Sequence, residues 1–346
     1  TGLRKYIAVA MPECLKKSIP AGIGLFIALI GLKNATLIQD NPYTFVQFFD
    51  FHGVISSAGS AKEAIAQIAP PVVAFVGFII IAILAKLNVK GHIIIGILAS
   101  TVLYYVMMLQ APNFDFSSIG QSFKDFGSVG FLGVFKGQAW KDAFSAEYIG
   151  GVFSAIMLVV SFCLVDMFDT IGTLYGAASQ ANMLDEKGDP MKLDECMMCD
   201  SIGTVSGALL GTSTCTTFVE SASGIAAGGR TGLTSLVTAL CFAVCLFLSP
   251  VANIIPSCAT APALIFVGVL MAKNFAKVDM EDMRSAVPAF VTFLMMPLTY
   301  SISNGIGLGA ITYVLITLFT GKYKKQDIVV TIIALLFIVK FVSVTM

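Results

Sequence analysis

The sequence predicts an all-α polytopic membrane protein, and three observations predict it. Of 346 residues, 57% are hydrophobic and only 12% charged, and the mean hydropathy is +0.87. Soluble domains carry about 25% charged residues, so most of this surface meets something other than water. Apolar runs recur along the chain, several long enough for a helix to cross roughly 30 Å of hydrocarbon. Some of those runs repeat in order, which bears on the architecture. A net charge of zero removes any electrostatic case for nucleic acid.

The opening stretch "TGLRKYIAVAMPECLKKSIP" lacks the apolar core and small-residue cleavage site of a signal peptide. Residues 1–17 read as an interfacial amphipathic lead-in. Apolar runs follow at about 18–38, 66–87, 91–109, 148–177, 200–211, 213–228, 231–249, 260–272, 286–302, 303–320 and 327–346. Arg4, Lys5, Lys16 and Lys17 precede the first run and place that end in the cytosol. Lys86, Lys90, Lys187, Lys192, Lys273, Lys277, Arg284, Lys322, Lys324 and Lys325 then all fall inside on one alternating path. The stretches 39–65 and 110–147 fall outside. The last run either leaves the cytosol or lies on its surface.

The repeat pairs "PAGIGLFIALIGLKN" from Pro20 with "PALIFVGVLMAKN" from Pro262, and "AFVGF" at Ala74 with "AFVTF" at Ala289. "GHIIIGILASTVLYY" from Gly91 is loosely echoed by "GIGLGAITYVL" from Gly305. Seven runs separate the starts of the two triplets. An odd number inverts the second copy, which is the inverted-repeat plan of secondary transporters. With seven spans per repeat, the second copy occupies about 148–320 and the first shows only its last three spans. Four spans are then expected ahead of Thr1.

Eight cysteines give no disulfide framework, since Cys163, Cys215, Cys241 and Cys245 lie within apolar runs. Cys196 and Cys199 form a lone CxxC, where a structural zinc site needs four ligands. With His52 and His92 isolated, no metal site is expected.

Two polar constellations interrupt the apolar runs. In "LVDMFDTIGT", Asp166 and Asp169 stand near the end of Ile149–Ile171, a run otherwise free of charge. In "GTSTCTTFVESASGIAAGG", residues 211–229, the β-branched "TSTCTTFV" favours an extended strand. A short helix can open after it at Glu220. Irregular backbone at membrane depth survives only where protein or a wet cavity covers it, and a broken helix near the midplane is a substrate's expected home. An intramembrane acid costs roughly 2.5–3.5 kcal/mol on insertion scales and reads as functional by default. Asp166 reads equally well as internal structural glue. Asp169 and Glu220 adjoin helix-loosening Gly, Ser or Thr, which favours a site.

Carboxylates and hydroxyls with few cations do not suit an anion, as Arg230 lies at the far edge of the broken helix. A neutral planar molecule rich in N–H groups fits better, because a carboxylate accepts two parallel N–H bonds. Phe168 and Phe218 can stack on a flat ring, although ordinary packing accounts for them as well. Burial favours the neutral carboxyl, so such an acid can carry a coupling proton.

"DMFDTIGTLYG", "GTSTCTTFVESASGIAAGGRTGLT" and "MMPLTYSISNGIGLG" resemble the AzgA-like purine permeases, the adenine and guanine/hypoxanthine branch of the nucleobase–cation symporter family. The resemblance covers nearly the whole chain. It implies fourteen spans in two inverted repeats of seven, a core domain moving against a gate domain, and a short strand before the broken tenth span. On that plan residues 18–109 are spans five to seven of the gate and 110–147 an extracellular loop. Residues 148–249 are spans eight to eleven of the core, 250–320 spans twelve to fourteen of the gate, and 321–346 a C-terminal apolar segment. The first four spans, with the strand that would pair before Glu220, are expected ahead of Thr1.

The same resemblance puts the eighth-span acid at Asp169 and the tenth-span acid at Glu220. Where uracil-type relatives read Glu-His-Ile-Gly-His, this sequence reads Asp169-Thr170-Ile171-Gly172-Thr173, so proton handling falls to the carboxylates Glu220, Asp169 and Asp166. Thr173, Thr216, Thr217, Phe218, Phe168 and Ser221 complete the expected purine site. The implied protein is a multi-pass cell-membrane importer of purine nucleobases by proton symport. It has no cofactor beyond H+ as coupling ion, and it pairs as a homodimer through the gate. No P-loop is present for ATP. A sulfate- or bicarbonate-type anion carrier would want a cation where Glu220 stands. An intramembrane aspartyl protease would want two aspartates on different helices, whereas Asp166 and Asp169 share one.

Overall fold

The computed structural model describes residues 11–111, 120, 124, 126–135, positions scattered through 155–185, 189–212, 215–218, 221–226, 228–247, 254–325 and 327–343. They form helices almost throughout, as the apolar runs require. These are α1 (Glu13–Asn34), α2 (Phe51–Ser57), α3 (Ala61–Lys86), α4 (His92–Met108), α5 (Leu193–Leu209), α6 (Ser221–Ala226), α7 (Gly232–Phe247), α8 (Ser257–Ala272), α9 (Met283–Leu298), α10 (Ile302–Phe319) and α11 (Asp327–Ser343). The described residues between 155 and 178 are also helical. Among the described residues, α1, α3, α10 and α8 with its 3-10 extension to Lys277 are long and apolar enough to cross a membrane.

The helices α3, α9 and α10 start upstream of their apolar runs, at polar caps. Asp50 accepts from the Gly53 N–H at 2.9 Å, Ser60 from Glu63 N–H, Asp282 from Arg284 N–H and Ser301 from Asn304 N–H. Each cap satisfies one of the donors that a helix start leaves open. The first helix likewise begins at Glu13, within the expected lead-in.

Residues 38–48 depart from the all-helical expectation. Ile38–Asn41 (β1) and Phe45–Phe48 (β2) pair antiparallel as a hairpin. Asn41 Oδ1 accepts from the N–H groups of Tyr43 (2.8 Å) and Thr44 (3.2 Å), an Asx turn that folds the chain back. Conversely, the strand expected before the broken span has no ladder at its described residues. Cys215–Phe218 is non-helical and pairs with no strand. A strand needs a neighbour to hold its backbone groups, and among the described residues none runs beside it.

The chain divides into two compact units, Thr1–Leu25 with Gln121–Gly229 and Met271–Met346, and Phe26–Gly120 with Arg230–Leu270. In the second, α3 packs on α4, and Ala35, Leu37, Ala74 and Ala261 form a small buried cluster. Tyr105 OH donates to the Ile254 carbonyl at 2.8 Å.

In the first unit, α9, α10 and α11 form a three-helix layer. Apolar surface gains nothing by leaving lipid for protein, so close van der Waals approach must hold such helices together, and small residues permit it. Here Gly305 and Gly309 of α10 lie against α9. A Cβ at 305 would overlap Met296, and one at 309 would overlap Thr292 Oγ1. Thr292 is itself fully buried and donates back to the Pro288 carbonyl at 2.8 Å.

This contact yields a prediction. Gly309→Leu should force α9 and α10 apart at about 1–3 kcal/mol of overpacking, read as a lowered melting temperature in detergent. Gly321→Ala tests a different cost, since Gly321 has open space around it and only its φ of +66° to lose. Equal melting of Gly309→Leu and the parent would contradict the close packing.

Candidate functional site

Asp166, Thr170 and Thr173 recur at helical spacing and share one face of their segment. All three are buried, Asp166 at 7% and Thr170 at 1% exposure. Thr173 donates to the Thr170 carbonyl at 3.1 Å, a bond within its own helix. Thr170 reaches outward instead. Its hydroxyl donates to Asp200 Oδ1 at 2.7 Å and stands 3.1 Å from Thr216 Oγ1.

A hydroxyl has one proton to give. Thr170 gives it to Asp200, so at the second contact Thr216 must be the donor. The order is therefore Thr216 to Thr170 to Asp200, a chain in which each bond polarises the next. Three pieces of backbone meet there: the helical segment after Asp169, the helix α5 carrying Asp200, and the non-helical stretch before Glu220.

Further bonds fix that stretch along α5. Thr204 Oγ1 donates to the Cys215 carbonyl at 3.3 Å. Gly211, at φ +73°, ends α5 where Leu132 N–H donates to the Leu209 carbonyl at 2.9 Å. A side chain at 211 would collide with the Gly130 backbone. After Phe218 the chain turns into α6, Ser221 N–H donating to the Phe218 carbonyl at 3.2 Å, and Gly228 at φ +107° closes it. The hydroxyl-rich, small-residue sequence is thus used for close backbone approach.

Of the expected site residues, Thr173 is buried, Thr216 and Thr217 are half-buried, and Ser221 is exposed. Phe218 is 64% exposed. Asp169, Phe168 and Glu220 lie outside the described residues. The bridge nonetheless joins the two stretches that hold them, one residue after Asp169 and four before Glu220. Sequence reasoning missed Asp200 and Thr170. The signal for Asp200 is an acid opening the apolar run 200–211.

A second polar cluster closes the far end of the same segment. Tyr175 OH donates to Asp189 Oδ1, and Lys16 Nζ of α1 lies 3.5 Å from that oxygen and 5.3 Å over the Tyr175 ring. It ties the basic end of α1 to the loop ahead of α5. Among the described residues, no group of His, Cys, Asp and Glu is arranged to hold a metal.

A model of the Permease family (Xan_ur_permease) matches residues 1–308. The chain belongs to this family. The adenine permease AdeP of Escherichia coli is 37% identical over 344 residues, which cover 99% of this chain and 70% of AdeP. The adenine permease AdeQ of the same organism is 36% identical over 345 residues, covering 99% and 70%. The guanine/hypoxanthine permease PbuG of Bacillus subtilis is 36% identical over 344 residues, covering 99% and 71%. Family membership and the apolar helices make this a multi-pass transporter of the cell membrane and not an enzyme.

The bridge is testable without knowing the cargo. Asp200→Ala leaves the Thr170 hydroxyl without its acceptor in a buried place, a loss of about 1–3 kcal/mol, and should lower the melting temperature. Asp200→Asn keeps an oxygen acceptor and should cost less. Equal melting of all three proteins would show that the bond carries no weight.

Proposed function

We propose that the protein imports purine nucleobases by proton symport. The observation that carries the reading is the Thr216–Thr170–Asp200 chain, which gathers a broken, hydroxyl-rich stretch and a buried acidic helix at one place in a membrane transporter. Support for the cargo comes from relatives named as adenine and guanine/hypoxanthine permeases. Nothing in those names favours an inorganic anion.

In this reading Asp169 and Glu220 accept the N–H edge of the base, a geometry that two parallel bonds to a carboxylate favour. Thr216 and Thr217 supply neighbouring polar groups, with Thr173 and Ser221 at the margins and Phe218 and Phe168 as stacking faces. Phe218 suits that role in one respect, since its ring is uncovered and free to meet a flat ligand. One of the acids Glu220, Asp169 and Asp166 takes up the coupling proton on the outward side with the base and gives it up on the inward side as the base leaves.

Movement follows the same plan. A core (148–249) rocks against a gate (18–109 and 250–320) in a seven-plus-seven inverted-repeat architecture, with a homodimer formed through the gate. The Lys16–Tyr175–Asp189 cluster joins the first gate helix to the end of the eighth span. That cluster would have to loosen whenever the two parts separate on that side.

The deciding experiment uses the full-length carrier in cells lacking their own purine uptake. Glu220→Gln and Asp169→Asn should each abolish uptake of labelled guanine, hypoxanthine or adenine while the protein stays in the membrane at parental amounts. A protonophore should collapse uptake by the parent. Undiminished uptake by Glu220→Gln would refute the assignment, and uptake indifferent to the protonophore would refute the coupling.

A further inference from the structure

The sequence leaves the run 327–346 either crossing the membrane or lying on it. We infer that α11 is an additional membrane crossing, antiparallel to α10, with Lys340 as the anchor of its far end. The inference rests on family membership as a membrane protein and is independent of which molecule is carried.

At its first turn, α11 is fastened to the end of α10 that follows the outward path back to the cytosol. Asp327 is buried and accepts from Tyr313 OH at 3.1 Å and from Lys324 N–H at 2.8 Å. Arg284 of α9 completes the knot, donating to Tyr313 OH at 2.9 Å and Thr317 Oγ1 at 3.2 Å, with Nη2 3.7 Å from Asp327 Oδ2. Lys322, Lys324 and Lys325 stand just before it, so this is the cytosolic end by the positive-inside rule.

About one turn before Lys340, Gly307 of α10 gives Phe337 room. A Cβ there would lie 2.6 Å from Phe337 Cγ. At the other end Lys340, 8% exposed, donates to Ser303 Oγ at 3.0 Å and Asn304 Oδ1 at 3.3 Å. Ser303 and Asn304 belong to the first turn of α10, whereas Thr317 belongs to its last. At 1.5 Å per residue, Ser303 to Thr317 and Asp327 to Lys340 each span about 20 Å. The two helices therefore run side by side over nearly their whole length, and α10 is itself one of the helices long and apolar enough to cross.

The two faces of α11 separate the alternatives. Val330, Ile333, Ala334, Phe337 and Lys340 form one buried stripe. The uncovered face carries Ile328, Ile332, Leu335, Leu336, Val339 and Val342. A helix lying in the interface shows a charged or polar outer face, and this one shows apolar side chains from end to end. Acyl chains are the occupant that such a face accepts.

The crossing is tested in the full-length carrier with one epitope tag inserted after Gly321 and, in a separate version, one after Met346. Antibody labelling of intact and permeabilised cells reads the side of each. Tags on opposite sides are expected, with the Gly321 tag seen only after permeabilisation. Tags on the same side overturn the crossing. For the anchor, Lys340→Met and Ser303→Ala should each lower the melting temperature, by roughly 2–4 °C for each kcal/mol lost. The double variant should lose less than the sum of the two. Unchanged melting of Lys340→Met, or a fully additive pair, overturns the role of Lys340.

Discussion

Hydrocarbon offers no hydrogen bonds, so each polar group at membrane depth must find its partner inside the chain. Thr170 is where that constraint is met most economically. One hydroxyl accepts from Thr216 and donates to Asp200, and in doing so it holds a stretch that has abandoned helical geometry. Remove the bridge and residues 215–218 would keep the bond from Thr204 to the Cys215 carbonyl and lose the one that Thr216 makes. Among the described residues, 215–218 pair with no strand, and the Thr204 hydroxyl gives the Cys215 carbonyl a donor that a ladder would otherwise supply.

The rest of the first unit solves a related problem by shape. Where α9, α10 and α11 meet, the contacts are glycine against Met296, Thr292 and Phe337. Polar knots sit at the ends of this layer, with Arg284, Tyr313 and Asp327 at one end and Lys340, Ser303 and Asn304 at the other. Dispersion between closely set backbones supplies the attraction along the middle. The polar ends fix register, because a one-turn slip of α11 would part both knots at once.

Much of the fold was legible because membrane helices announce themselves by composition. The runs at 66–87, 91–109, 231–249 and 303–320 coincide closely with α3, α4, α7 and α10. The polar caps that set the starts carry no hydropathy signal, so the ends were less legible. The hairpin at 38–48 was hidden because its signal is a turn, Asn41-Pro42, rather than a period. In the site, the stretches around Asp169 and Glu220 stood out as acids in apolar surroundings, while Asp200 stands at the very start of the run 200–211, where a charge carries little signal. Thr170 could not be found from sequence at all. A threonine in a membrane helix most often bonds its own preceding turn, as Thr173 does, and only the tertiary fold shows which one reaches across.

The buried charges share a further property. Lys340 is held by a serine and an amide, and Asp200 receives a threonine hydroxyl. Arg284 and Asp327, although 3.7 Å apart, are joined more closely through Tyr313 than directly. Neutral dipoles stabilise a charge without cancelling it, whereas a counter-ion cancels its field and repays desolvation only when the geometry is very good. Serine and threonine suit this task because a hydroxyl can turn its proton toward one group and a lone pair toward another, as Thr170 does with Asp200 and Thr216.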